Sequence, residues 1–142
     1  MRITAIRGSN LASLAGDFEV VLDQGPLGQV GLFAITGPTG AGKSTLLDAA
    51  CLALFDRIPR LRVASRNSRV RASLDEDAEA LTATDPRLCL RRGAGEGWAE
   101  VEFLDASGAR FRARWSVHRA RKQPDGRVQN SEMALYDAED VA

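Results

Sequence analysis

The sequence predicts an α/β fold with a mixed sheet and an antiparallel β meander, and three stretches predict it. Residues 30–36, VGLFAIT, are short and continuously apolar, the pattern of a strand buried on both faces. Residues 37–45, GPTGAGKST, follow at once and match G-x-x-x-x-G-K-[ST]. From Trp98 to Asp137 the apolar period drops to two, the period of half-buried antiparallel strands.

The elements follow in order. In MRITAIRGSNL, Ile3 and Ala5 alternate with Arg2, Thr4 and Arg7, which predicts a first strand. DFEVVLD, 17–23, reads as a second strand, with SLAGD as the turn between them. VGLFAIT is the central strand. Residues 43–55, rich in Leu and Ala, form a helix ended by Pro59. Residues 57–71 carry six arginines and no acid, and residues 75–79 carry four acids. SLDE, Ser73 to Glu76, fits a capping box and predicts a short helix over 74–83, closed by TDP. RRGAGEG reads as a loop, and much of 62–96 is expected to be mobile.

In the last third, Ala99, Val101 and Phe103 share one face, with Glu100 and Glu102 on the other. Phe111, Ala113, Trp115 and Val117 likewise oppose Arg110, Arg112 and Arg114, so the glutamates are expected to face arginines across the strands. PDG, 124–126, is a turn, because proline presets φ and Asp-Gly tolerates the bend that follows. SEMALYD is the last strand. The 142 residues are one domain's worth: 1–55 with strands, phosphate loop and helix, 56–96 as a mobile insertion, and 97–142 as the antiparallel segment.

Composition narrows the function classes. There are 19 basic and 19 acidic side chains, so net charge implies no partner. Arginine outnumbers lysine 17 to 2, a bias that reflects a GC-rich coding sequence more simply than it reflects chemistry. Cys51 and Cys89 form no CxxC pair, which argues against zinc, a redox site or a disulfide. The N-terminus lacks the apolar core of a signal peptide, and no run approaches a membrane span. A cytoplasmic, soluble chain with no membrane partner is the expectation.

The phosphate loop carries the chemistry. Gly37, Gly40 and Gly42 let the backbone turn and bring N–H groups to phosphate oxygens, and the helix that follows adds its positive end. Pro38, Thr39, Gly40, Ala41, Gly42, Lys43, Ser44 and Thr45 are the candidate ATP-binding residues. Lys43 reaches the β- and γ-phosphates, and the Ser44 hydroxyl is the candidate magnesium ligand. The motif follows a strand and opens a helix, the context its mechanism requires. The acid-tipped apolar strand that completes an ATPase is not evident. Asp105 ends a strand that alternates with glutamates, and Asp137 follows a hairpin turn. No catalytic residue is assigned, and His118, the only histidine, lies on the polar side of a strand.

These residues carry a family likeness. GLFAITGPTGAGKSTLLDAACLALF, then IPRL, AEVEF, ARWSVHRARKQPDG and VQ, resembles the N-terminal segment of the bacterial SbcC family. Those proteins are ATPase subunits of SbcCD exonucleases and are related to structural-maintenance-of-chromosomes proteins. The likeness covers most of the chain and is weakest at 63–96. It implies the N-terminal lobe of an ABC-type ATPase head, a P-loop NTPase fold. In that family a coiled coil and a C-terminal lobe complete the head. The implied partners are therefore the C-terminal lobe of the same protein, a second ATPase head, an SbcD-like nuclease subunit and DNA in repair and recombination. Relatives in the wider family carry a basic residue in an NFRS-like element near the nucleotide. Here the matching residues are Asn10 to Ser13, NLAS, with Ala12 at the basic position and Asn10 as the remaining candidate.

Two other classes fit parts of the sequence. A stand-alone P-loop kinase would use the arginines of 57–71 as a lid, but it calls for further βα units after the helix. A nucleic-acid-binding module would use Arg110, Arg112, Arg114, Arg119, Arg121 and Lys122, a face that reads more simply as solvated charge paired with glutamates.

Overall fold

The computed structural model describes residues 1–63, 69–71 and 80–137. Strand β1 (Arg2–Leu11) is an inner strand of the main sheet, with β2 (Leu14–Val21) beside it at the edge. A 3-10 turn, Gly25–Gln29, leads to the extended stretch 30–36, and helix α1 (Lys43–Phe55) follows. After a second 3-10 turn at Pro59–Val63 come the short strands β3 (Arg69–Arg71) and β4 (Ala80–Thr82), which pair antiparallel. A third 3-10 turn, Pro86–Cys89, precedes β5 (Glu96–Leu104), β6 (Arg110–His118) and β7 (Glu132–Asp137).

The main sheet has the order β2-β1-β5-β6-β7, and every neighbouring pair is antiparallel. The meander over 97–137 is thus present with the expected faces. Ala99, Val101, Trp115 and Val117 are buried under α1, which lies across β1, β5 and β6. Leu52, Ala49 and Ala53 of α1 and Leu11 of β1 close this core. On the opposite face Glu100 is itself buried, with Arg7, Arg112 and Arg114 at 3.5, 3.9 and 3.3 Å. Its charge stays in the sheet because three guanidiniums surround it. Arg114 also stacks 4.1 Å over the Trp98 ring, a cation–π contact.

Several expectations are corrected. No parallel pair exists among the described residues, so the sheet is antiparallel rather than mixed. Residues 30–36 pair with no described strand. Leu32 is 90% exposed, and Val30, Phe33 and Ile35 are exposed as well. An apolar run signals burial on both faces, but the described strands all pair elsewhere and leave this one uncovered. Strand β2 begins at Leu14, not Asp17. The turn lies at Ala12–Ser13, tightened by left-handed φ values of 53° at Asn10 and 44° at Ala12. The start of β2, with Ala15, Gly16 and Asp17 exposed, looks like loop because an edge strand needs little apolar alternation. Helix α1 stops at Asp56 in the left-handed conformation, before Pro59 is reached. The helix expected over 74–83 is replaced at its end by strand β4, and residues 72–79 lie outside the described residues. Among the described residues no helix is long and apolar enough to cross a membrane.

Candidate nucleotide-binding loop

The loop between the exposed run and α1 is built by its glycines. Pro38 to Ala41 form a turn closed by the Ala41 N–H on Pro38 O at 3.2 Å, with Gly40 at φ 84° in the third position. That is the type II pattern, which demands positive φ there. Gly42 caps α1 with φ 90°, and a Cβ at that position would lie 2.4 Å from Leu14 Cδ2. Only glycine satisfies both constraints, so the loop meets the β1–β2 turn directly.

Lys43 and Ser44 open the helix, so their backbone N–H groups belong to the unpaired first turn. The Leu46 N–H is the first to close on the loop, at 3.1 Å from Gly42 O. The Lys43 ammonium curls back over the loop and donates to Gly37 O at 2.8 Å and Pro38 O at 2.7 Å. Lys43 thus stands over the concavity formed by residues 38–42. Ser44 is exposed at the helix start, and Thr45, the next residue, is buried. Residues 38–41 are exposed as well, Lys43 is half-buried, and Gly42 is buried. The start of α1 and the Lys43 ammonium thus meet at one loop, the arrangement that favours an anion.

Among the described residues the candidate carboxylates have other partners. Asp48 of α1 is buried and accepts from Arg60 Nε and Nη2 at 2.5–2.9 Å. Arg60, 12 residues on, is thereby tied back along the helix. Burial pushes the neighbouring Cys89 thiol up to about 12, aided by Asp48 and opposed by Arg60. Asp56 accepts from Trp115 Nε1 at 2.6 Å and from Ser131 Oγ at 3.1 Å, which pins the end of α1 to β6 and to the segment before β7. Asp105 closes its own turn through Ser107 and Ala109, and that hydrogen bonding holds it below the ordinary carboxylate range. Asp137 ends the edge strand β7, and His118 sits on β6 opposite Glu96.

Asn10 is occupied structurally. Its amide donates to Glu96 O at 3.2 Å and its oxygen accepts from the Gly16 N–H at 3.0 Å. Arg119, read from sequence as part of a surface arginine face, is buried and donates to Ala94 O and Gly126 O. Arg110, Arg112 and Arg114 are paired with Glu100 and Glu102, as the simpler reading of that face expected. Of the NLAS element singled out in sequence, it is Ser13 that touches the loop, its hydroxyl 3.3 Å from Thr45 Oγ1. Leu14, which packs at Gly42, was not read from sequence, since no local pattern marks that contact.

Comparison with known proteins places this geometry. A family model described as an AAA domain matches residues 5–140. The SbcC subunit of nuclease SbcCD from Pseudomonas aeruginosa is 52% identical over 139 residues, covering 98% of this chain and 11% of that protein. The Rhodobacter capsulatus protein of the same name is 48% identical over 140 residues, 99% of this chain and 11% of its own length. The Bacillus subtilis protein of that name is similar over 42 residues at 48% identity, covering 30% of this chain and 4% of its own length. This chain therefore spans 11% of the length of the first two relatives.

Proposed function

Because the chain belongs to the AAA domain family and is similar over 98% of its length to the SbcC component of an SbcCD nuclease, we propose that it is the ATP-binding N-terminal lobe of an SbcC-like ATPase. The observation that carries the reading is the loop at 37–45, with its three positive-φ glycines, the Lys43 ammonium over it and the start of α1 behind it. Lys43 exchanges the carbonyls of Gly37 and Pro38 for the β- and γ-phosphate oxygens of ATP. Ser44 would be this chain's ligand to magnesium, which would neutralise charge on the β- and γ-phosphates.

The partners follow from the same reading. The uncovered run 30–36 and the exposed Leu47 and Phe55 of α1 form an apolar surface suited to the C-terminal lobe of an ABC-type head. A helix apolar on both sides calls for cover on both sides, and the sheet supplies only one. That lobe would bring the acid that this loop lacks nearby, and a second head would close the site. The whole protein then drives an SbcD-like nuclease on DNA ends in repair and recombination. A stand-alone kinase is disfavoured by the antiparallel meander where βα units would continue. A purely nucleic-acid-binding module is disfavoured by the pairing of Arg110, Arg112 and Arg114 within the sheet.

Calorimetric titration with ATP and magnesium tests the reading. Lys43→Ala is expected to weaken binding at least about tenfold, since a charged hydrogen-bonding group contributes roughly 1.5–3 kcal/mol. Undiminished binding by the variant would remove the loop as the nucleotide site.

A further inference from the structure

Asp48 is the one acidic residue inside α1, and it sits four residues past Ser44, about 6 Å further along the axis. Its carboxylate is buried, in the second turn of the helix whose start backs the phosphate loop. A bare carboxylate there would oppose the positive helix end and repel phosphate. The segment after the helix prevents this. The backbone reverses at Asp56, with φ 49°, and Ile58 is buried in the core. The Leu61 N–H closes on Ile58 O at 3.0 Å, and this turn carries Arg60 back along the helix. Arg60 Nε donates to Asp48 Oδ1 at 2.9 Å and Oδ2 at 2.8 Å, and Nη2 donates to Oδ2 at 2.5 Å. Among the described residues Arg60 is the only cation paired with Asp48. The Cys89 thiol, raised chiefly by burial, is pushed further up by Asp48 and drawn back by Arg60, so both charges are felt at that thiol.

We infer that Arg60 is a positioning residue for the nucleotide: acting through Asp48, it cancels the one negative charge built into α1 behind the phosphate loop. The inference rests on the ATP-binding reading above. The Asp48 side chain is 5% exposed and that of Arg60 55%. The carboxylate therefore has little water to screen it and depends on the guanidinium for its balance. With the pair intact, the loop presents the helix end and the Lys43 ammonium with no opposing charge behind them. Arg60 lies outside the phosphate-binding motif, and its effect reaches the nucleotide only through Asp48.

Two substitutions break the same ion pair with opposite consequences for charge, and calorimetry with ATP and magnesium on this chain separates them. Arg60→Gln leaves the carboxylate unbalanced. It is expected to weaken ATP binding roughly 3–10-fold, the scale of a unit charge about 10 Å away in a partly wet protein. The loss should be smaller for ADP, which carries less negative charge. Asp48→Asn removes the carboxylate and is expected to bind ATP at least as tightly as the wild type. The double variant is expected within about twofold of the wild type, since neither charge remains. Weakened binding in Asp48→Asn would overturn the inference, whether or not Arg60→Gln folds, because the pair would then be a structural brace alone. Wild-type affinity in a folded Arg60→Gln, with binding abolished by Lys43→Ala, would overturn it too and leave the loop standing. Absence of ATP binding in the wild type would overturn both readings together.

Discussion

Glu102 shows how single residues on the outer face of the sheet are balanced. Burial opposes its ionisation, but Thr4, Arg110 and Arg7 all donate to it, and the net effect holds its carboxyl below the ordinary value of 4.5. A carboxylate with a lowered folded-state pKa stabilises the fold fully above its unfolded pKa and loses that contribution as pH falls through the folded value. Glu102→Gln should therefore be less stable than the wild type by a constant margin above about pH 5, and the margin should shrink at lower pH. Urea unfolding of both proteins across pH 3–7 checks this. A margin unchanged down to the acid end would mean that the ion pairs contribute nothing. The alternation of glutamates and arginines made this face legible in sequence, because cross-strand pairing has a period of two. The burial of Arg119 was not legible. It depends on Gly95 and Gly126 letting the backbone come close enough for carbonyls to meet its guanidinium.

Helix α1 is the element on which the site depends, and it is anchored at three heights. Gly42 and Thr45 meet the β1–β2 turn, Asp48 meets Arg60, and Asp56 meets Trp115 and Ser131. Its bounds, 43–55, were readable from Gly42–Lys43 and the Leu/Ala run. Only the cause of its end was misread: Asp56 in the left-handed conformation stops it before Pro59 is reached. The structure makes Asp56 a tether as well as a stop. Asp56→Ala should cost about 1–3 kcal/mol, because it strips the buried Trp115 indole of its hydrogen-bond partner. Denaturant titration followed by tryptophan fluorescence checks both the loss and a changed Trp115 environment. An unchanged midpoint would show that the helix end is held by packing alone.

At the scale of the whole molecule, half of the architecture could be read from local patterns and half could not. The meander was legible because each of its strands alternates against a neighbour that the chain supplies. The run at 30–36 was read correctly as apolar and incorrectly as buried, because burial of a two-faced strand depends on neighbours that are not among the described residues. The bend of the candidate phosphate loop and the start of α1 behind it were legible, since its glycines and Lys43 all lie within nine consecutive residues, 37–45. The contact of Leu14 with Gly42 was not, because proximity across the β1–β2 turn has no local sequence pattern. The central claim is that ATP binds through this loop. The most direct test is a titration of the isotopically labelled chain with ATP and magnesium, followed through backbone amide resonances. The largest shifts are expected on residues 37–46, with Ser13 and Leu14 as the main responders outside that stretch. Shifts centred elsewhere, such as on the arginines of β6, would contradict it.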